Sequence, residues 1–463
     1  MRALGLRDLV LFYVVTGISL RWIATAATAG PSAIVIWLVA WAGFFVPLAL
    51  SVLELSSRFP EEGGLYNWSK LAFGDFTGFM TGWTYWASNL PYYPGVLYFT
   101  AANALYIGGA RWSRLSDSRL YFVLFAVLGL LLATFLNIVG LGIGKWLHNI
   151  GAIGTWAPIA ILIGMGSVVW YKFGSASHFS APNLIPSTHL KDIIFWSTIV
   201  FALGGCESAS FMGGEIKNPR RNVPRALLIG SILITIGYIL GTVAVLWALP
   251  KSQVTGLEGI MQAISQISNR LRMGWIIGLV ALLITLSNLG AVGAWLTATA
   301  RLPFVAGLDR YLPKPFGKLH PKWKTPYVAL LVEAVCGGIF AFLGQAGTSV
   351  KGAYDVLVSM GVITYFLPYL ALFASMIKLQ RVPCGPEAIR VPGGKPVAYL
   401  LATVGIITTI ITITLSCFPD PDEVNKVLAV VKVLGLTAVL LAVGVVLYAV
   451  GKSRFRAGED NPA

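Results

Sequence analysis

The sequence predicts an all-α protein that crosses a membrane with about twelve helices. Of its 463 residues, 56% are hydrophobic and 11% are charged, and the mean hydropathy is +0.76. Globular domains in water carry about 25% charged residues, so water is not the main solvent of this chain. Apolar stretches of about 20 residues recur along it, which is the length that an α-helix needs to cross the hydrocarbon core of a bilayer.

Twelve such stretches follow one another along the chain. The first begins close to Met1 and is as long as a full span. No small-residue cleavage site interrupts it, so we expect no cleavable signal peptide. The predicted spans are 8–29, 34–56, 76–105, 120–141, 147–170, 193–212, 225–247, 273–300, 326–343, 353–376, 397–416 and 425–448.

Most of the 34 lysines and arginines fall in loops on one side of these spans. Positively charged loops stay in the cytoplasm, so the pattern predicts cytoplasmic termini and a place in the cell membrane. The net charge of +15 then reflects topology, with some attraction to anionic lipid. We expect no nucleic-acid partner.

The four cysteines and four histidines show no spacing typical of a metal or cofactor site. The cysteines lie in spans or on the predicted cytoplasmic side, except Cys417 near an outer end, so we expect no structural disulfide. The scattered histidines predict neither a metal site nor a cofactor. Because the chain has no evident nucleophile–base pair or phosphate loop, we do not expect an enzyme.

The first two spans carry charges within or beside their apolar runs. Arg21 lies about 20 Å along its helix from the cytoplasmic end, at about 1.5 Å per residue. It could hold an anionic group or gate access; alternatively, it could snorkel to the outer interface or pair with an acid. Glu54 lies near the membrane edge, four residues before Arg58, and we predict a structural role for it.

The third span is rich in aromatic residues and contains two prolines, which distort a helix and leave carbonyl groups free. Asn89 and Tyr93 are four residues apart and therefore share one face of the helix. We predict that they line a cavity together with Tyr92. For Trp83 and Tyr85 we predict a packing role.

The sixth span contains Gly204 and Gly205, followed by a carboxylate at Glu207. A glycine pair lets the backbone leave helical geometry, and lipid tolerates such a break only where protein or a water-filled cavity satisfies the released groups. Burial of a carboxylate disfavours its charge. Glu207 is therefore a candidate proton-binding switch, or else a structural link to a neighbouring helix.

Later spans add two candidates for the lining of the cavity. Trp295, in the eighth span, offers an aromatic face that could hold a cation or an aliphatic chain. Ser359, in the tenth span, could line the same cavity. The breaks in the first and sixth spans recur at a five-span offset, which is typical of inverted repeats that meet near the middle of the bilayer.

Three separated motifs resemble the amino acid–polyamine–organocation (APC) permeases. Residues 205–210 read Gly-Cys-Glu-Ser-Ala-Ser, and 217–224 read Lys-Asn-Pro-Arg-Arg-Asn-Val-Pro. After the second span, 58–66 read Arg-Phe-Pro-Glu-Glu-Gly-Gly-Leu-Tyr. After the eighth, 309–313 read Asp-Arg-Tyr-Leu-Pro, and 325–327 read Thr-Pro-Tyr. The sixth-span pattern is most similar to bacterial arginine/agmatine antiporters.

The resemblance implies a LeuT-like core with discontinuous first and sixth helices. One domain, 1–463, would then contain inverted repeats at 8–170 and 193–376 and two accessory helices at 397–448. In this family a glycine-rich break in the first helix binds the substrate carboxylate. The matching residues are Gly17, Ile18, Ser19, Arg21 and Trp22, where only the first is a glycine.

The resemblance also implies roles for three residues of the later helices. Phe201 takes the place of an aromatic residue that closes over the substrate, and Glu207 that of the proton-sensitive acid. Trp295 precedes Asp309 by the same interval as the tryptophan that stacks on the substrate of the antiporters.

The expected function is secondary transport of amino acids by alternating access, by exchange or with protons. A polyamine or other organic cation carrier is the alternative, which the tyrosines of the third span favour. A nutrient sensor that binds without transport is less favoured. The outer loop 106–119 lacks a cysteine, so we expect a monomer or homodimer without a disulfide-linked heavy subunit.

Overall fold

The computed structural model describes residues 5–59, 61, 63–139, 141–207, 216–300, 302, 311–383, 385, 388–420, 423 and 425–456. Within these ranges the chain is helical and contains no β-strand. Cys384, Asp309 and the end of the sixth predicted span, 208–212, lie outside the described residues.

The first half of the chain contains the helices that carry the predicted spans one to six, together with two helices outside them. They are α1 (Leu6–Gly17), α2 (Leu20–Ala27), α3 (Ala33–Ala40), α4 (Val46–Arg58), α5 (Gly64–Phe73), α6 (Asp75–Ala87), α7 (Asn89–Gly108), α8 (Arg119–Val139), α9 (Leu141–Phe173), α10 (Ala181–Leu184) and α11 (Leu190–Ala202). The two helices outside the predicted spans are α5 and α10. A π-helical turn, Trp41–Phe45, connects α3 to α4.

The second half contains the helices of the remaining spans, with one short helix outside them. They are α12 (Pro219–Ala248), α13 (Gly259–Arg270), α14 (Trp275–Thr299), α15 (Tyr327–Gln345), α16 (Val350–Leu379), α17 (Gly394–Ser416) and α18 (Lys426–Arg456).

Among the described residues, nine helices are long and apolar enough to cross a bilayer. These nine helices correspond to nine of the twelve predicted spans. The first, third and sixth predicted spans have no counterpart among them. The chain is thus a multi-pass membrane protein, and the full count of twelve spans stays a prediction. The first and third spans are each divided into two helices, and the helix of the sixth span ends at Ala202, while the described residues of that span continue to Glu207.

The breaks in the first and sixth spans have local causes. Ser19 is extended, with φ −130° and ψ 129°, and separates α1 from α2. Gly205 follows the end of α11 with φ +107°, a backbone geometry that side chains with a Cβ rarely adopt. Gly17 ends α1, where a Cβ would lie 2.5 Å from the side chain of Ile234 on α12. Glycine at this position therefore allows the two helices to approach each other.

The helices pack into a bundle that buries some of them far more than others. α1 and α2 lie against α12, and α11 also contacts α2, while α14 packs between α7 and α9. In the most apolar stretch of α16, 72% of residues are buried, against 22% in α18. α16 is thus an inner helix, whereas α18 presents most of its surface to the surroundings of the bundle.

Candidate functional site

The hydroxyl of Tyr238, on α12, joins the breaks of the first and sixth spans. It donates a hydrogen bond to the carbonyl of Gly17 at 2.6 Å and accepts one from the backbone N–H of Ser19 at 3.1 Å. It also lies 3.4 Å from the carbonyl oxygen of Ala202. Trp37 stacks on the Tyr238 ring at a centroid distance of 4.4 Å. One side chain therefore partners backbone groups that both breaks release.

Glu207 lies next to the second break and is fully buried. Its Oε1 accepts hydrogen bonds from the hydroxyls of Tyr85 and Tyr365, each at 2.9 Å, and its Oε2 accepts from the backbone N–H of Gly205 at 3.2 Å. The hydroxyl of Tyr369 lies 3.3 Å from the same N–H. Burial penalises the charge of the carboxylate, and these donors offset part of the penalty.

The packing role predicted for Tyr85 is wrong, because its hydroxyl is a direct partner of Glu207. Ser88, between α6 and α7, keeps helical backbone angles, with φ −60° and ψ −23°, so a local change of direction does not account for the difference. The partners of Tyr85 come from other spans: Glu207 from the sixth and Tyr365, whose ring lies 5.4 Å away, from the tenth. The third span thus contributes Tyr85 to the acid of the sixth span.

The ring of Phe201 contacts an aromatic residue of the first span and a tyrosine that is hydrogen-bonded to Glu207. Its ring meets Trp22 edge to face at 5.2 Å and Tyr365 edge to face at 5.2 Å. Trp22 follows Arg21 on α2, and Tyr365 is a direct partner of Glu207. Phe201, on the sixth span, thus contacts the first and the tenth spans, and its closing over the substrate stays a prediction.

Arg21 is turned into the bundle, with 2% of its surface exposed. Its guanidinium carbon lies 3.9 Å from the ring centroid of Trp22, 5.3 Å from that of Tyr92 and 5.7 Å from that of Tyr354. Its Nε and Nη1 have no hydrogen-bond partner among the described residues. The structure thus favours neither snorkelling nor pairing with an acid; it shows a cation surrounded by aromatic rings.

The residues of the third and eighth spans that were predicted to line the cavity also lie close together, except that Asn89 has a different partner. Tyr92 meets Trp295 at a centroid distance of 6.2 Å, and the hydroxyl of Tyr93 lies 2.7 Å from Oγ1 of Thr299. Asn89 instead donates from Nδ2 to the backbone carbonyl of Tyr85 at 3.0 Å. Its amide therefore satisfies a carbonyl next to the division of the third span.

Comparison with known proteins places the chain in a family. The sequence profile described as amino acid permease matches residues 4–451. An uncharacterised transporter of Legionella pneumophila is 30% identical over 91% of this chain and 91% of its own length.

This protein belongs to the amino acid permease family. It is a membrane transporter, as are the relatives that are named for a substrate. The serine/threonine exchanger SteT of Bacillus subtilis is 26% identical, over 87% of this permease and 89% of its own length. The probable agmatine/putrescine antiporter AguD of Lactococcus lactis is 23% identical, over 86% and 84% respectively. The relatives are thus named for different substrates.

Most of the predicted site residues of the permease lie around the two breaks, but Ser359 lies elsewhere. Gly17, Gly204 and Gly205 line a cavity of about 10 Å³ between the breaks, which is about the space that one water needs. Ser359 lines a separate cavity with Cys417 and residues from the start of α18. The structure does not bring this serine to the site.

Two residues of the permease were missed by the reasoning from sequence. Tyr238 carries no local signal, because its partners at Gly17 and Ser19 are more than 200 residues away. Glu333 is a fully buried acid in the middle of an apolar helix, α15. An ionisable residue inside a span is a functional candidate by default, so the sequence did contain a signal for Glu333.

Proposed function

We propose that this permease transports amino acids and that Arg21 binds the carboxylate of the substrate. Arg21 carries the proposal, because its guanidinium is buried and its Nε and Nη1 find no acceptor among the described residues, so these nitrogens have lost water without a replacement there. Guanidinium groups bind carboxylates in a planar, two-pronged geometry. A substrate carboxylate would supply the missing acceptor in a site where water does not compete with it.

The position of Arg21 also supports this role. It lies two residues after Ser19, at the break where related permeases use a run of glycines to hold the carboxylate. Here only Gly17 represents that run, so fewer backbone N–H groups are free to bind an anion. In our proposal Arg21 replaces them, and Trp22, Tyr92 and Trp295 surround the rest of the substrate.

The same residue argues against a polyamine as the main substrate. A polyamine carries two or more positive charges and no carboxylate, and like charges at close range in a buried site cost several kcal/mol, of order 4 kcal/mol at 4 Å and an effective dielectric constant of about 20. Although AguD is named for agmatine and putrescine, SteT is named for serine and threonine. Arg21 favours a substrate of the second kind.

Purified protein and ligand-induced thermal stabilisation test the proposal, since a ligand that binds the native state raises the melting temperature. We expect neutral or acidic amino acids to stabilise the wild type. Arg21→Gln should weaken their binding by about tenfold to a hundredfold, because a hydrogen bond to a charged group contributes about 1.5–3 kcal/mol. Arg114→Gln is the matched control, since this arginine is exposed in an outer loop.

The possible outcomes are distinct. Loss of the amino acid effect in Arg21→Gln alone supports the proposal. Stabilisation of the wild type by putrescine or agmatine, without any effect of amino acids, would make the polyamine alternative the correct one. Unchanged amino acid affinity in Arg21→Gln would remove this residue from the site but leave amino acid transport in place.

We further propose alternating access in an inverted-repeat core of the LeuT type, with repeats at 8–170 and 193–376 and accessory helices at 397–448. The bundle of spans one, two, six and seven would rock against the rest. Packing of α1, α2 and α3 against α12, and of α11 against α2, supports such a unit. Both termini would be cytoplasmic in the cell membrane, and the protein would be a monomer or homodimer without a disulfide-linked subunit.

Glu207 is the proposed proton-sensitive group of this cycle. Its partners Tyr85 and Tyr365 come from helices outside the moving bundle, while Gly205 belongs to the break. Protonation would weaken the hydrogen bonds that the carboxylate accepts from both tyrosines. In our proposal the break of the sixth span is thereby released from the third and tenth spans.

A further inference from the structure

Glu333 on α15 is another buried acid, on elements that the proposed mechanism does not use. It is fully buried, and it lies about 9 Å inside its helix at about 1.5 Å per residue. Neither carboxyl oxygen has a hydrogen-bond partner among the described residues. An isolated carboxylate in such a place would be very costly, and buried carboxyl groups in general avoid that cost by holding a proton.

Three polar side chains face this carboxyl: Trp86 on α6, Tyr93 on α7 and Thr299 at the end of α14. Trp86 has an indole N–H that lacks a partner among the described residues. Tyr93 and Thr299 are hydrogen-bonded to each other at 2.7 Å. The carboxyl therefore has one free donor and one pair of hydroxyls around it.

The protons of the two hydroxyls are already used. Thr299 donates its hydroxyl proton to the carbonyl of Trp295 at 2.8 Å, so the proton between Thr299 and Tyr93 comes from Tyr93. Both hydroxyl oxygens then offer only lone pairs to Glu333. A protonated carboxyl matches these surroundings, because its O–H can donate to a hydroxyl oxygen while its C=O accepts from Trp86.

We propose that Glu333 is a proton-binding site of the permease, separate from Glu207. In the conformation described here it carries a proton. When water reaches the carboxyl in another conformation, the proton passes to water, and Tyr93 turns its hydroxyl from Thr299 to the carboxylate. The ionised form then has the donors that it needs, from Tyr93 and Trp86.

This site is connected to the wall of the proposed substrate site. Tyr93 follows Tyr92, and Thr299 donates to the carbonyl of Trp295, while Tyr92 and Trp295 contact each other. A substrate that moves the rings of Tyr92 and Trp295 also moves the hydroxyl groups of their neighbours Tyr93 and Thr299. The position of these hydroxyls determines whether Glu333 has hydrogen-bond donors. Proton binding at Glu333 is thereby linked to substrate binding.

Few other groups can compete for this role. The titratable groups that face Glu333 are Tyr93 on α7 and Cys336 on α15 itself. The helices α8, α14 and α16 and the turn Lys314–Gly317 also pack on α15, and none of their described charged groups, Lys314 included, acts on the carboxyl. The titration of Glu333 is thus separate from the hydrogen-bonded group around Glu207.

Infrared spectroscopy of the purified protein tests the protonation directly and needs no substrate. The carbonyl stretch of a protonated carboxylic acid should be present in the wild type and lost in Glu333→Gln, which keeps the size of the side chain. The same band should persist in Glu258→Gln, a control at a half-buried acid outside the predicted spans. A spectrum of Glu333→Gln that retains the whole band would overturn the proposal.

Transport in proteoliposomes tests the role of this proton, and this arm alone rests on the proposed function. Glu333→Gln should lose accumulation driven by an acid outside while retaining exchange of an amino acid between two sides at equal pH. Full gradient-driven accumulation in the variant would overturn the role. Loss of both activities in Glu333→Gln, with the infrared band of this variant unchanged from that of the wild type, would also overturn the role. Absence of transport by the wild type would instead contradict the proposed function.

Discussion

Tyr238 and Gly17 are 221 residues apart in sequence, and the hydroxyl of the first donates to the carbonyl oxygen of the second at 2.6 Å. A hydroxyl has one proton, so the same oxygen can only accept from the backbone N–H of Ser19, which it does at 3.1 Å. The donor and the acceptor released by the break in the first span are thus satisfied by a single atom of α12.

We expect Tyr238→Phe to destabilise the permease. The ring would still stack on Trp37, but the half-buried N–H of Ser19 and the carbonyl of Gly17 would lose their partner. An unsatisfied buried group costs about 1–3 kcal/mol, so the melting temperature in detergent should fall measurably. Tyr171→Phe is the control, since Tyr171 is 87% exposed. Equal melting temperatures for the two variants would show that water replaces the hydroxyl.

The pH dependence of transport should change in Glu207→Gln. An amide cannot exchange a proton in the physiological range, so transport by the variant should vary less with pH than transport by the wild type, while substrate binding remains measurable. Uptake into proteoliposomes across a series of pH values gives the profile. Tyr365→Phe is the matched variant, since it removes one hydrogen bond to the acid but leaves the acid in place.

A Tyr365→Phe profile that still varies with pH, beside a flat Glu207→Gln profile, would assign the dependence to the carboxyl itself. If Glu207→Gln keeps the wild-type profile, Glu207 is not the coupling group. Binding measured by thermal stabilisation separates this outcome from a general loss of substrate affinity.

Sequence reasoning was most reliable where the chemistry is local. Apolar stretches predicted the spans, and the glycines before Glu207 predicted the break that Gly205 makes with its positive φ. It failed where contacts depend on how helices turn relative to one another. Tyr85 and Glu207 are 122 residues apart in sequence, and no spacing rule within the third span could have shown that they meet.

Glu54, on α4, holds a cluster at the end of the second span that fits its predicted structural role. It accepts from Nη1 of Arg58 at 3.0 Å, from Nε2 of Gln380 at 2.6 Å and from the backbone N–H of Val391 at 2.8 Å. Both members of the ion pair are almost fully buried, with side chains 2% and 3% exposed. The carboxylate therefore connects α4 to α16 and to the segment before α17.

Glu54→Gln should lower the stability of the permease by about 3–5 kcal/mol, because it leaves the buried charge of Arg58 without its counter-ion. The melting temperature in detergent provides the measurement. Asp75→Asn is the matched control, since it breaks an ion pair with Lys70 whose side chains are 51% and 36% exposed. Exposed pairs contribute about 0–1 kcal/mol, so similar losses in the two variants would contradict the structural role of Glu54.

Glu258 directly precedes α13, outside the predicted spans, and should make stability depend on pH. Burial raises the pKa of its carboxyl, and the nearby negative charge of Asp117 raises it further, while the hydroxyl of Tyr106, 3.5 Å away, partly lowers it. The folded state therefore holds this proton to higher pH than the unfolded chain does. Its stabilising effect is fully present below the unfolded pKa, about 4.3, and is lost as pH rises through the folded pKa.

Glu258→Gln should consequently gain stability relative to the wild type as pH rises from 4 towards 8, since the amide carries no charge that burial could penalise. Its oxygen can still accept from Tyr106. Melting temperatures of both proteins over this pH range provide the comparison, and Asp117→Asn should reduce the dependence only in part, because burial is the larger cause. If the difference between Glu258→Gln and the wild type stays constant with pH, the folded protein does not shift the titration of Glu258.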